Sequence, residues 1–153
     1  MKGSMVVLAA LLATATVAGR AQSTGDEPLF PPADRYATVN PDWFDRTYAP
    51  SLTSDNDGVV ESAIAQSVAA KLALPDGKFE AIREKLGSLA VHGRTPAIRY
   101  KAYLAGLVLE NPELFAGAEC ALFSTTDQLF ASLSTRVQKQ LLSVQGAKYV
   151  REF

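Results

Sequence analysis

The pattern of apolar and polar positions predicts a helical domain from about residue 53 onward. The first helix face repeats every four residues and consists of Val60, Ile64, Val68 and Leu72. The short polar side chains of residues 54–58 are typical N-caps, and Pro75-Asp76-Gly77 is a turn sequence that stops a helix. The first predicted helix therefore lies between these two signals.

Two further helices are predicted before residue 110. One is amphipathic, and its apolar face consists of Phe79, Ile82, Leu86 and Leu89. It ends at Gly93, because glycine is favoured after a helix. The capping residue Thr95, followed by Pro96, opens the next helix, in which residues 96–109 are apolar nearly all round. Such a helix is buried on most sides, so we expect it to be the central helix of the domain.

The remaining chain repeats the same signals. Asn111-Pro112 predicts the start of a shorter helix that runs to about Phe123. Polar residues 124–127 then open a last long helix, which we expect to end at Gly146. Its apolar stripe consists of Leu129, Leu133, Val137 and Leu141.

Residues 22–52 differ in composition from the helical domain, residues 53–153. The segment carries many prolines interleaved with aromatic residues. Proline at this density prevents long helices, whereas the aromatic area is larger than a disordered linker normally carries. We predict an extended arm that covers the helical domain and docks on it through Trp43 and Phe44. The whole chain is thus predicted to be all-α, with about five helices packed as antiparallel pairs in a small bundle.

An internal repeat adds a second interpretation of the helical domain. Three apolar positions are spaced by 39 residues, namely Val59, Ile98 and Val137. The middle copy, Thr-Pro-Ala-Ile-Arg-Tyr-Lys-Ala at residues 95–102, resembles the second-helix pattern Pro-x-Val-Arg-x-x-Ala of the HEAT family of helical repeats. The other copies have Val60 and Gln138 where that pattern has arginine. The resemblance is close over residues 95–102 and loose over residues 54–145, and it implies a HEAT-like stack of helix pairs.

The first 21 residues have the features of a secretory signal peptide. Lys2 precedes an uncharged run, residues 5–18, which is shorter than the roughly 20 residues that a membrane-spanning helix needs. Cleavage after Ala21 fits best, and cleavage after Ala18 is the alternative. We therefore expect an exported protein, periplasmic or extracellular, whose mature chain begins at Gln22, with an uncleaved anchor or a helix of the fold as the alternative.

Charge and cysteine content narrow the expected partners. Without residues 1–21 the chain has 13 basic and 16 acidic side chains, a net charge of −3. Such a chain has no electrostatic reason to bind nucleic acid or an anionic membrane, and no membrane insertion is expected after signal cleavage. The single cysteine, Cys120, lies among apolar residues, which predicts a buried free thiol. An intermolecular disulfide that makes a dimer is the alternative.

No catalytic, cofactor or metal site is predicted. Asp55-Asn56-Asp57-Gly58 does not fit an EF-hand calcium loop, because Thr53 and Ile64 stand at the first and last ligand positions. We interpret these four residues as a helix cap. The only histidine, His92, excludes a site built from several histidines, and its place in the last turn before Gly93 suits the helix dipole.

Two groups of residues are candidate interaction surfaces. The first is the pair Trp43 and Phe44 in the arm. The second group lies on the central helix and consists of Arg99, Tyr100, Lys101 and Tyr103. A groove that grips a carboxylate or a peptide is one interpretation of the second group. The preferred one is that its two cations pair with carboxylates, for which the candidates are Glu61, Glu80 and Glu84.

Together these observations predict an exported, non-enzymatic interaction or scaffold protein whose partner is another exported protein. An accessory subunit or inhibitor that uses the Trp43-Phe44 arm on a partner enzyme is the alternative. A small hydrolase is less favoured, because no nucleophile and base stand out in the sequence.

Overall fold

A computed structural model describes Phe30, residues 32–118 and residues 120–151. These residues form an all-helical fold with no strand among them, which confirms the predicted fold class. The α-helices are α1 (Ala33–Tyr36), α2 (Pro41–Tyr48), α3 (Asp57–Ala73), α4 (Glu80–His92), α5 (Pro96–Glu110) and α6 (Thr126–Arg151). Short 3-10 helices cover Ala49–Thr53, Pro112–Phe115 and Cys120–Leu122.

Local capping explains where the first long helices begin. Asn56 is the N-cap of α3, and its side-chain oxygen accepts hydrogen bonds from the backbone N–H groups of Gly58 and Val59. Thr95 caps α5 in the same way through the N–H of Ile98, at 3.1 Å. These side chains satisfy N–H groups that have no partner within the helix. The predicted capping role of residues 55–58 and the predicted start of α5 are therefore confirmed.

Helices α3 and α5 share the centre of the domain. Helix α3 contacts α1, α5, α6 and two of the 3-10 helices, and α5 contacts α3, α4, α6 and one of them. Nine side chains of α3 are buried, namely Val60, Ala63, Ile64, Ala65, Ser67, Val68, Ala69, Ala70 and Lys71. Many of these are small, so neighbouring helices can pack against α3 on several sides. Helix α5 has neighbours on several sides, as predicted, and α3 shares the central position with it.

The described part of the predicted arm, Phe30 and residues 32–52, belongs to the same core and is not an extended cover, and residues 22–29 and 31 lie outside the described residues. Residues 33–53 form α1, α2 and the 3-10 helix Ala49–Thr53 almost without interruption. Proline does not prevent this, because Pro41 and Pro50 occupy first-turn positions, where the missing N–H costs nothing. The segment buries Phe30, Tyr36, Phe44, Ala49 and Leu52.

Helix α2 also caps the start of α4. The Asp45 carboxylate accepts hydrogen bonds from the N–H groups of Ala81 at 2.9 Å and Ile82 at 2.8 Å. The local N-cap residue, Phe79, has a positive φ of 48° and makes no side-chain cap hydrogen bond. A carboxylate at a helix N-terminus also interacts favourably with the helix dipole. Asp45 therefore does from a distant segment what a local capping residue does for α3.

Asp45→Ala is expected to lower the free energy of unfolding by about 1–2 kcal/mol, because two N–H groups at the start of α4 lose their acceptor. Chemical denaturation followed by circular dichroism measures this loss. Arg46→Ala is the matched control, since Arg46 is the exposed neighbour on the same helix and should cost less than about 0.5 kcal/mol. Equal stabilities of the two variants would contradict the capping role.

Two predictions for the chain after α5 are wrong, one on the kind of helix that follows it and one on the end of α6. The segment from Asn111-Pro112 to about Phe123 is not one helix but two 3-10 helices, and Gly117 between them has a φ of 76° that interrupts any helix. Helix α6 does not end at Gly146 but continues to Arg151. Its first turns bury Leu129, Phe130 and Leu133, whereas residues 138–142 are exposed.

None of the described helices has the length and apolar character to cross a membrane. The predicted signal peptide, residues 1–21, lies outside the described residues.

Candidate functional site

A cavity of about 170 Å³, the aromatic pocket, opens beside α1 and α2. It is lined by Arg35, Tyr36, Val39, Trp43, Phe44, Tyr48 and Gln66. Of the predicted docking pair, Phe44 is buried, whereas Trp43 is 55 % exposed. Neighbours along one helix turn point in different directions, so Phe44 forms part of the core and Trp43 remains on the surface. The prediction that both residues dock on the domain is corrected for Trp43.

The walls of the aromatic pocket are held by contacts between rings. The Phe44 ring stacks on Tyr48, with centroids 4.1 Å apart and planes inclined by 11°. It meets the edges of Tyr36 at 6.5 Å and Phe79 at 5.9 Å. The Tyr36 hydroxyl donates a hydrogen bond to Gln66 Oε1 at 3.1 Å. Edge-to-face and stacked pairs stabilise this arrangement beyond the area they bury, so the pocket is preformed.

Two polar groups at the aromatic pocket have no partner among the described residues. The guanidinium of Arg35 makes no ion pair or hydrogen bond there, and the indole N–H of Trp43 makes no hydrogen bond there. Both residues are exposed. Tryptophan, tyrosine and arginine are enriched at protein interaction surfaces.

On α5, Lys101 is a buried structural residue and not part of a surface. Its Nζ donates hydrogen bonds of 2.7 Å to Glu61 of α3 and 2.7 Å to Asp127 of α6. Burial alone would lower the pKa of Lys101, but the hydrogen bonds and charges of Asp127 and Glu61 outweigh it, so the pKa is raised. Of the three predicted carboxylates, Glu61 pairs with Lys101, and Asp127 is a second partner that the sequence did not indicate. Arg99 has no carboxylate partner among the described residues, so the predicted pairing of both cations is wrong for Arg99.

The other three residues of the candidate surface on α5 have different surroundings and share no hydrogen-bond partner among the described residues. Arg99 donates a hydrogen bond to the backbone oxygen of Gly93 at 2.7 Å, where it holds the turn between α4 and α5. Tyr100 is joined to Ser134 of α6 by a 2.7 Å hydrogen bond between hydroxyls. Tyr103 is 54 % exposed. In the described part of the chain no hydrogen bond or ring contact connects this group with Trp43 and Phe44.

A second cavity, of about 260 Å³, was not foreseen from the sequence. We call it the polar groove; its side-chain lining includes Leu52, Asp55, Lys85, Ser88, His92, Arg94 and Ile98. Arg94 is held by Asp57, with 2.6 Å between Nη2 and Oδ1. A Cβ at Gly93 would lie 2.6 Å from the Leu89 backbone oxygen, so only glycine fits this close turn.

The lining of the polar groove includes Ser88, His92 and Asp55, the residue types of a catalytic triad. Within the described residues, no hydrogen bond joins Ser88, His92 and Asp55 to one another. A nucleophile and its base need to lie within hydrogen-bonding reach, and the base needs a third group to orient it. No group of three histidine, cysteine or acidic residues in the described part of the chain could hold a metal ion.

Cys120 is a half-buried free thiol. Burial raises the pKa of Cys120 from the usual 9.0 to about 11, so the thiolate is disfavoured at neutral pH. Burial also raises the pKa of the Tyr36 hydroxyl above its usual 10.0, and the charges of Cys120 and Tyr48 add to this effect. Both groups are therefore neutral in the folded protein near pH 7.

The raised pKa values predict a loss of stability in alkali. Between about pH 9 and 11 the unfolded chain releases the Cys120 and Tyr36 protons while the folded chain retains them, so the free energy of unfolding falls as pH rises. The raised pKa of Lys101 also makes the free energy of unfolding fall above pH 10.5. Burial lowers the pKa of Lys71, so Lys71 has the opposite effect on the free energy of unfolding.

Denaturation curves at successive pH values between 8 and 11 test this expectation. The Tyr36→Phe variant should lose less stability above pH 10 than the parent, since it has no hydroxyl to ionise. Tyr103→Phe, at an exposed tyrosine, is the control and should follow the parent. A parent whose stability rises through this range would refute the assignment.

Comparison with known proteins adds no relative: no family model, no curated protein and no solved structure matches the chain. The HEAT-like stack therefore stays a prediction.

Proposed function

We propose that the chain is an exported, non-enzymatic interaction or scaffold protein that binds another exported protein through the aromatic pocket. The observation that carries the proposal is Trp43, which is 55 % exposed at the edge of a preformed aromatic cavity. Exposing tryptophan to water is unfavourable, and buried tryptophan contributes strongly to protein interfaces. A partner that covers Trp43 would gain this contribution.

The size of the aromatic pocket favours a protein partner over a small ligand. Pockets for drug-sized molecules usually enclose about 300–1,000 Å³. The aromatic pocket encloses about 170 Å³, which suits one or two side chains of a larger partner. Export rests on residues 1–21 of the sequence, with Lys2 ahead of an apolar run, and we propose a periplasmic or extracellular site of action.

The alternative is an accessory subunit or inhibitor of an exported enzyme. Both proposals place the partner at Trp43, and they differ in whether binding changes the catalytic rate of that partner. A hydrolase is less favoured, because Ser88 and His92 line one groove without a hydrogen bond between them in the described structure.

The proposal is tested by affinity capture from the native exported fraction with the parent and two variants. The parent should retain one partner reproducibly, and Trp43→Ala should lose it while keeping its melting temperature. Val91→Ala is the matched control, because Val91 is an apolar residue of α4 with 67 % exposure and lies outside the lining of the pocket. Equal recovery by Trp43→Ala and Val91→Ala would contradict the proposed surface.

Enzymatic activity is tested on the same preparations. The purified chain should leave generic ester and peptide substrates unchanged, and any turnover that Ser88→Ala or His92→Ala abolishes would overturn the non-enzymatic assignment. If the captured partner is an enzyme, its rate with and without the chain separates a scaffold from an inhibitor or accessory subunit.

A further inference from the structure

The chemistry of the aromatic pocket narrows the kind of partner segment that fits it. We infer that the pocket takes the proline ring of an extended, acidic segment of the partner protein; this inference rests on the proposed function and specifies its ligand. Three features carry it: aromatic walls that are already in place, hydrogen-bond donors at the rim, and one unpaired cation.

The walls favour proline. Trp43 and Tyr48 line the pocket from the same helix, and the buried Phe44 ring, stacked on Tyr48 at 4.1 Å, holds the Tyr48 ring in place. Grooves lined by aromatic residues bind proline-rich segments, because a polyproline II helix is already extended and loses little conformational entropy on binding. A preformed pocket and a preformed ligand both reduce the entropic cost of association.

The hydrogen-bond donors of Trp43 and Tyr48 can bind the backbone carbonyl oxygens of such a segment. A polyproline II helix has no internal hydrogen bonds, so its carbonyl oxygens are free to accept. Among the described residues, neither the Trp43 indole N–H nor the Tyr48 hydroxyl has a hydrogen-bond partner. Tryptophan and tyrosine thus offer a ring for the proline and a donor for a neighbouring carbonyl.

The unpaired guanidinium of Arg35 favours an acidic residue in the partner segment. Arg35 lines the pocket, is exposed and has no carboxylate partner among the described residues. A guanidinium binds a carboxylate through two parallel hydrogen bonds, and it repels lysine and arginine. The same charge disfavours a quaternary ammonium group, which is the other usual ligand of an aromatic cage. A segment with glutamate or aspartate next to proline satisfies both the rings and Arg35.

The test uses the fact that Trp43 is the only tryptophan of the chain. Its fluorescence therefore reports directly on the pocket. The full mature chain is titrated with the peptide acetyl-Ala-Glu-Pro-Leu-Pro-Pro-Ala-amide. We expect a saturable change in emission with a Kd on the order of 10–100 μM, in the range of a single short motif. Matched peptides with each proline changed to alanine, or with the glutamate changed to lysine, should bind at least about tenfold more weakly.

A charge swap tests the role of Arg35. Arg35→Glu should reverse the preference, so that the lysine peptide binds more tightly than the glutamate peptide. Arg83→Glu, at an exposed arginine of α4 outside the pocket lining, should keep the parent preference. Circular dichroism melting of both variants confirms that they are folded, and the peptide series on the parent chain gives the charge preference without any variant.

The outcomes separate this inference from the proposed function. Absence of any emission change up to millimolar peptide, or equal binding of the proline and alanine peptides, overturns the inference. If capture still depends on Trp43 in that case, the proposed function stands and only the ligand class is wrong. If capture is independent of Trp43 as well, both fail. Tight binding of the lysine peptide by the parent overturns the role of Arg35.

Discussion

Phe44→Ala is expected to lower the free energy of unfolding by about 3–5 kcal/mol, the usual cost of removing a buried phenylalanine ring. Phe44 is 3 % exposed and its ring contacts three other aromatic rings. The substitution leaves a cavity between α2 and α4 and removes the surface against which Tyr36 and Tyr48 pack. Since small domains have only about 5–15 kcal/mol of stability, a large part of the total would be lost.

Trp43→Ala is a stringent control for this prediction. The two residues are adjacent on α2 and both are aromatic, but Trp43 is 55 % exposed, so its loss should change the free energy of unfolding by less than about 1 kcal/mol. Urea denaturation followed by circular dichroism compares the variants without relying on tryptophan emission. The assignment of the segment 33–53 to the core fails if Phe44→Ala unfolds at the same urea concentration as Trp43→Ala.

The long helices were predictable because their signals are local. The Asn56 cap of α3, the Thr95 cap of α5 and the end of α4 before Gly93 each depend on residues within one helical turn. Apolar spacing then identifies the buried face of each helix. Predicting these features does not require the tertiary contacts of the rest of the chain.

The end of α6 and the segment before it were not predictable in the same way. The sequence predicts that α6 ends at Gly146, but a glycine inside a helix costs only about 1 kcal/mol relative to alanine and does not end it. Gly117, in contrast, adopts a positive φ and separates two 3-10 helices. The sequence shows two glycines, and only the backbone conformation distinguishes their roles.

The helices between residues 33 and 53 are not predicted from the sequence because they depend on tertiary contacts. Helix α2 has eight residues, too few to be stable alone, and it forms where Phe44 packs on Phe79 and Asp45 caps α4. The capping bonds from Asp45 span 36 and 37 residues, so no local pattern indicates them. Proline content therefore suggested an extended arm where the contacts produce helices.

The candidate site shows the same limit. The sequence indicates Trp43 as a candidate and includes Glu61, the observed partner of Lys101, among three candidate carboxylates, because aromatic and charged residues are recognisable by type. It could not assign Trp43 to the surface and Phe44 to the core, since that depends on which side of α2 faces α4. The residues around the polar groove come from several segments, so the groove exists only in the folded chain.

Leu104→Ala is the second substitution with a large expected effect, and it tests the centre of the domain independently of α2. Leu104 is 2 % exposed on α5, the helix that contacts α3, α4 and α6. Removing three carbon atoms from this position should cost about 2–5 kcal/mol, because a close-packed centre collapses only partly around the cavity. A decrease in the melting temperature on the order of 10 °C is expected.

The matched control is Tyr103→Ala, one residue earlier on the same helix. Tyr103 is 54 % exposed, and among the described residues it makes no hydrogen bond, so its loss should change the melting temperature by only a few degrees. Both variants place the same alanine in the same helix, so a difference in helix propensity contributes little to the comparison. If Leu104→Ala melts with the parent while Tyr103→Ala is strongly destabilised, α5 presents its other face to the core and the packing of α5 against α3 and α4 is wrong.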